Sequence, residues 1–188
     1  ATQRVLGDLC QSCRSKGKLL VRQLGKNCIA LLALFSSPTS LPKLNLMREI
    51  LTLHRKVKRE EREVCPAVRW PADVERVLHD TWPRVLQFSG HGYPDVSPAQ
   101  NCGAAAANVV AAPSGSSRLV FEIDHAVDGG QSPRLSVPSA DQFIAQLSSD
   151  RAPRLACVFF NSCYTAAIGR LIVANDRCRH LRVLCWET

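Results

Sequence analysis

The sequence predicts an α/β domain with a mostly parallel sheet and helices on both of its faces. Three observations carry that reading. Apolar runs of strand length alternate along the chain with stretches of helical periodicity. The first of these strand-length runs, Cys28–Ser36, is continuously apolar, as expected of a strand buried on both faces. The one break in the alternation is a pair of short apolar segments around a Gly-rich turn, which reads as a β-hairpin.

The elements follow in order. Cys28–Ser36 (CIALLALFS) is the first strand run, and Ser36–Pro42, with two prolines and three serines, is a loop. Leu44, Met47, Ile50, Leu51 and Val57 then recur at helical spacing, with Lys43, Arg48, Arg55 and Lys56 on the other side. That pattern predicts an amphipathic helix over 41–60. Val64–Trp70 (VCPAVRW) is a short strand, placed at a sheet edge by Pro66. Pro71 suits a first helical turn, and Val74, Val77, Leu78 and Trp82 continue a helix behind it. Arg84–Ser89 (RVLQFS) is the next strand, broken by Gly90-His91-Gly92. Residues 95–117 read as loop and hold the low-complexity piece NCGAAAANVVAAPSGSS.

Leu119–Asp124 (LVFEID) and Leu135–Val137 bracket Asp128-Gly129-Gly130 and form the hairpin. Ser139 with Gln142 three residues on is a capping-box signature, behind which Phe143, Ile144 and Leu147 face inward. Leu155–Phe160 (LACVFF) is the most apolar strand. Ala166–Ala174 carries Ile168, Leu171 and Ile172 at helical spacing, and His180–Trp186 (HLRVLCW) is a last strand.

Composition bounds the function. The chain has 188 residues, 46% hydrophobic and 21% charged, which suits one packed domain rather than two or a disordered chain. The longest apolar run, Ile29–Phe35, is far short of the roughly 20 residues a membrane-spanning helix needs. No membrane partner is therefore expected. The net charge of +8 is uneven, with +5 in residues 1–27 and +3 in the rest. A basic N-terminal extension, 1–27, joined to a nearly neutral body, 28–188, is the expected organisation. A uniformly basic nucleic-acid-binding domain is not. Nine cysteines cannot all pair within the chain, and no secretory leader is visible. A reducing, cytoplasmic setting with free thiols is expected. A chain beginning at Ala1 and stopping at Thr188, directly after an apolar run, reads as a fragment truncated at its C-terminus.

In parallel α/β sheets the reacting groups lie just past the carboxyl ends of the strands. RVLQFS runs into Ser89-Gly90-His91-Gly92, and LACVFF runs into Asn161-Ser162-Cys163-Tyr164. If these strands are neighbours, His91 and Cys163 face one crevice. A thiolate is a strong nucleophile, and an imidazole beside it favours that form and can protonate a leaving amine. The flanking glycines allow a sharp turn and close approach of a substrate carbonyl. The amides of Gly92 and Cys163 are then candidates for an oxyanion hole. The ordinary alternative is a packed thiol, one of nine, and a turn histidine.

Phe88-Ser89-Gly90-His91-Gly92 resembles the histidine motif of caspase-like cysteine peptidases, and Phe159-Phe160-Asn161-Ser162-Cys163-Tyr164 their cysteine motif. Among the branches, the pattern is most similar to CHAT domains, caspase-like domains often found beside tetratricopeptide repeats. These read as an apolar strand, then Asn-(Ala/Ser)-Cys, then a helix. The hairpin before Ser139 and the terminal Val183–Thr188 segment are similar too, so the resemblance spans about 28–188. It implies a caspase-like three-layer sandwich, a His91/Cys163 dyad, and a cysteine endopeptidase acting on protein or peptide substrates in regulated signalling or defence. It also implies tetratricopeptide-repeat regions in the full-length protein.

Asn161 would help shape the pocket for the substrate residue before the scissile bond. Metacaspases carry Asp at that position and caspases Gln, so an acidic pocket of the metacaspase kind is not carried over. The arginines with which caspases read aspartate have no counterpart here. His91 and Cys163 stand 72 positions apart, against ~50 in caspases. An insert near 103–117 can take up the difference, because loops tolerate insertions.

Other features read more simply. Cys10-x-x-Cys13 lacks a second ligand pair nearby, so neither a metal nor any other cofactor is expected. In His54–Glu63 acidic residues offset much of the basic charge, as on a solvated helix end. Asp124 and His125 fit a surface turn. Glu187, at a strand end beside the expected crevice, is a candidate for attracting a basic substrate residue. The rival function is a catalytically inactive caspase-like module that docks partners. A basic arm binding nucleic acid ranks third.

Overall fold

The computed structural model describes residues 28–38, 41–92, 119–122 and 135–186. Their elements, in order, are β1 (Leu31–Ser36), α1 (Leu46–Lys56), β2 (Arg62–Cys65), α2 (Ala72–Thr81), β3 (Val85–Gly90), β4 (Phe121–Glu122), β5 (Leu135–Ser136), α3 (Ala140–Leu147), β6 (Cys157–Asn161), α4 (Ala166–Ala174) and β7 (Arg182–Leu184). Five strands form one parallel sheet in the order β2-β1-β3-β6-β7. β4 and β5 pair separately and antiparallel, as the predicted hairpin.

The strand order says which helix covers which face. From β1 the chain steps outward to β2, then returns past β1 to β3 and continues through β6 to β7. Crossovers between parallel strands are right-handed. A step in one direction therefore puts its helix on the face opposite to steps in the other. α1 belongs to the first step, and α2, α3 and α4 to the others. Side chains alternate between faces along a strand. Leu32, Leu34, Leu86, Phe88, Val158 and Phe160 form one apolar cluster with Val74, Leu78, Phe143, Leu147, Ile168 and Ile172 of α2–α4. Fully burying such a side chain contributes about 1.5–3 kcal/mol. The opposite face carries fully buried Ala33 and Phe35 of β1 beside Gln87, Ser89 and Asn161, and these last three donate hydrogen bonds to Glu49 of α1.

Several expectations need correction. The helix expected over 41–60 begins only at Leu46, and residues 41–45 run over the sheet rim without helical structure. Its apolar stripe is not a core stripe: α1 buries no residue, and Met47 and Leu51 are exposed. The sheet beneath it is mixed, with Ala33 and Phe35 of β1 fully buried beside Gln87 and Ser89, and α1 meets it through half-buried Leu46, Ile50 and Leu53 and through the Glu49 carboxylate. The strand expected at 64–70 lies at Arg62–Cys65, ending where Pro66 offers no N–H to a ladder, and it is an edge strand. The last strand is three residues, Arg182–Leu184, and Leu171 on α4 is exposed.

The capping box is formed. The Gln142 amide donates to Ser139 Oγ at 3.1 Å, and the Ser139 amide to Gln142 Oε1 at 2.9 Å. A second apolar cluster, Val120, Leu135 and Val137, packs on Leu41 and anchors the segment leading to Pro42.

Candidate active site

The open α/β sheet reverses its winding between β1 and β3, where such folds form a crevice at the strands' carboxyl ends. β3 and β6 are neighbours, and their ladder ends at the pair Ser89–Asn161. His91 and Cys163 each follow that pair by two residues, so both leave the same rim on adjacent strands.

Steric detail explains the two glycines beside His91. A Cβ on Gly90 would stand 2.7 Å from the Ser36 carbonyl of β1. On Gly92 it would stand 1.7 Å from the Cys163 carbonyl. No side chain fits either gap, and the Gly92 backbone lies directly against that of Cys163. The histidine turn and the cysteine turn are thus packed on one another. The sequence explanation for these glycines, a sharp turn and substrate approach, misses this neighbour contact.

His91 is held from two sides. Its backbone carbonyl accepts from the Val120 amide at 3.2 Å, next to an antiparallel bridge between Gly92 and Leu119. Its ring Nε2 lies 2.8 Å from the Pro42 carbonyl. A carbonyl can only accept, so Nε2 carries the proton and, in the neutral ring, Nδ1 keeps the lone pair. Cys163 is exposed, and the following Tyr164 takes a left-handed backbone conformation, φ 59°. Such strain in a non-glycine residue costs of order 1–3 kcal/mol and clusters at functional turns. Ser162, between Asn161 and Cys163, is buried, and its Oγ has no hydrogen-bond partner among the described residues.

Behind this pair sits a polar clamp that sequence reasoning missed. Glu49 Oε1 accepts from Ser89 Oγ at 2.8 Å and from the Gln87 side-chain amide. Glu49 Oε2 accepts from Asn161 Nδ2 at 3.0 Å. Gln87 also donates to Ser89 Oγ at 3.1 Å. Asn161 therefore has a side-chain partner in addition to the pocket role expected of it. Neither Glu49 nor Pro42 carries a local motif, and Glu49 lies 112 positions from Asn161 along the chain. A buried Gln and Ser inside an apolar strand run was the available signal, since buried polar groups need partners.

Two exposed aromatic residues share the rim. Tyr164 is one. Trp186 is the other: it lies two residues beyond the Phe159–Leu184 pair, and its amide donates to Thr165 Oγ1 at 3.4 Å. The thiols differ in setting. Cys163 and Cys185 are exposed and Cys178 is buried. Burial, with help from Glu63, pushes the Cys65 thiol up to about 11, and burial raises that of Cys178 as well.

A separate groove, lined by residues such as Leu78, Trp82, Gln146 and Arg151, lies at the C-terminal ends of α2 and α3, away from this rim. Among the described residues no cluster of three or more His, Cys, Asp or Glu side chains is arranged to hold a metal. No described helix is long and apolar enough to cross a membrane. Glu187, Cys10, Cys13, Asp124, His125, the 1–27 extension and the 103–117 insert lie outside the described residues. The charged run His54–Glu63 is mostly solvent-exposed. Comparison with protein-family models, with curated proteins and with solved structures finds no match to this chain.

Proposed function

We propose that this chain is a cysteine endopeptidase of the caspase-like, CHAT type, with Cys163 as nucleophile and His91 as its acid–base partner. The observation that carries the reading is the shared register: both residues follow one strand pair, Ser89–Asn161, by two positions on adjacent parallel strands. With Nε2–H given to the Pro42 carbonyl, Nδ1 is the nitrogen left to exchange protons.

The step balances simply. The Cys163 proton passes to Nδ1, Sγ bonds the peptide carbonyl carbon, and Nδ1 returns the proton to the amine as the C–N bond breaks. Water then hydrolyses the thioester and restores the thiol. The amides of Gly92 and Cys163 are the donors proposed for the developing oxyanion, and Asn161 is proposed to border the pocket for the preceding substrate residue.

Cleavage of a peptide library, read by mass spectrometry, tests this. Cys163→Ala is expected to abolish turnover, and His91→Ala to lower it by about 100- to 10,000-fold. Wild-type rates in Cys163→Ala would overturn the proposal. The rival reading is a docking module of the same fold. It has the apolar exposure of Val173, Leu184 and Trp186 in its favour. It predicts no cleavage by any variant.

A further inference from the structure

We infer that Glu49 is a positioning residue for His91 and Cys163, its carboxylate tying β3 to β6 two residues before each of them. The inference rests on the dyad reading above.

The carboxylate uses both oxygens, one on Ser89 and Gln87 of β3, the other on Asn161 of β6. Ser89 and Asn161 are also the last register pair between these strands. Past them, no described ladder bond joins the histidine turn to the cysteine turn, which meet through the Gly92–Cys163 backbone contact, and the side-chain bridge is the last hydrogen-bonded tie described between the two strands. The docking of α1 does not by itself require the arrangement, because Leu46, Ile50 and Leu53 already give the helix a half-buried apolar side. Neither does a salt bridge, because among the described residues no cation pairs with Glu49. Three neutral donors instead converge on one charge from two strands, and hydrogen bonds to a charged group are the stronger kind. The same helix is preceded by Pro42, whose carbonyl orients the His91 ring. One segment, 42–49, therefore touches the imidazole directly and both strand ends through a carboxylate.

Neutral replacements separate position from mere presence. Glutamine keeps one acceptor oxygen for β3 but turns an N–H donor toward the Asn161 amide. It restores the bridge only with a rearrangement, either Asn161 rotating to present its oxygen or the new amide turning its oxygen to Asn161 and its N–H to Ser89 Oγ. Alanine removes the bridge entirely.

The test measures iodoacetamide alkylation of Cys163 against pH in the full chain, read on the Cys163 peptide by mass spectrometry, with Cys185→Ala to silence the other exposed thiol among the described residues. His91→Ala defines the imidazole-independent rate. Glu49→Ala is expected to lose about 10- to 100-fold of the His91-dependent rate, with a pH profile approaching that of His91→Ala. Glu49→Gln is expected to fall between. Asn161→Ala is expected to match Glu49→Ala, and the double variant to add no further loss, because the two act through one contact. Should Glu49→Ala fail to fold, Glu49→Gln and Asn161→Ala report the same quantity. A wild-type profile in folded Glu49→Ala, or additive losses in the double variant, overturns the inference and leaves the dyad standing. His91→Ala alkylating as fast as wild type overturns dyad and inference together.

Discussion

The two faces of the sheet are built on different physics. Under α2–α4 the strands present Leu32, Leu34, Leu86, Phe88, Val158 and Phe160, an apolar layer with tilted ring contacts such as Phe143–Phe160 at 6.0 Å. Under α1 the strands present Gln87, Ser89 and Asn161 beside Ala33 and Phe35, and the helix meets them through Glu49 and a side that is only half-buried. The first face is held by non-directional burial, which tolerates small shifts. The second adds to the burial of Ala33 and Phe35 a set of directed hydrogen bonds, which fix orientation and contribute about 0.5–1.5 kcal/mol net each, rising to ~3 where a charge takes part. The larger apolar cluster lies on one side of the sheet, and the polar clamp next to the candidate site lies on the other.

The largest way to break this contrast is a cavity on the apolar face. Phe160→Ala is expected to cost about 3–5 kcal/mol in a urea unfolding titration. A loss under 1 kcal/mol would mean that the stability does not reside there. Gly92→Ala probes the rim where the faces meet. Its Cβ collides with the Cys163 carbonyl at 1.7 Å, and a misplacement of that order is expected to cost about 100-fold in Cys163 reactivity. Unchanged alkylation kinetics would show that the two turns can part without consequence.

The smallest effect sharpens the contrast. Asp73, at the start of α2, is engaged by Arg69 at 3.0 Å and Arg76 at 3.4 Å. Partial burial alone would raise its pKa, but the hydrogen bonds from the two arginines outweigh it and hold it below the usual 3.8. A depressed carboxyl stabilises the fold above its unfolded pKa and loses that contribution as pH falls through the folded one. Asp73→Asn is thus expected to cost about 0.2–1 kcal/mol at neutral pH. The difference from wild type should shrink as unfolding is measured at pH values progressively below 3.8. A difference that persists in acid would point to a lost helix contact instead of a charge.

Much of the first face was legible in the chain. Consecutive apolar residues in Leu31–Ser36, the spacing of Val74, Val77 and Leu78, and the Ser139–Gln142 pair are local signals, and each element they predict is present. The second face was misread. Met47 and Leu51 imitate a core stripe by periodicity, yet they are exposed, and the half-buried side of the helix runs through Leu46, Glu49, Ile50 and Leu53. Periodicity reports which residues share a helix face but not what that face meets.

For the candidate site, His91, Cys163 and their glycines were visible because strand ends and Gly-rich turns are sequence features. The partners that orient them were not. Their chain separations, 49 positions from His91 to Pro42 and 112 from Asn161 to Glu49, leave no periodic trace.

The amino-acid order alone determined the alternation of strands and helices, the apolar layer and the two strand-end motifs, because propensity, burial and capping act over a few neighbouring residues. Only the folded chain decided that β3 lies beside β6, that Gly92 abuts Cys163, and that one carboxylate bridges both strands. Contacts between residues distant in sequence depend on winding direction and register, and those are set by the packing of the whole sheet.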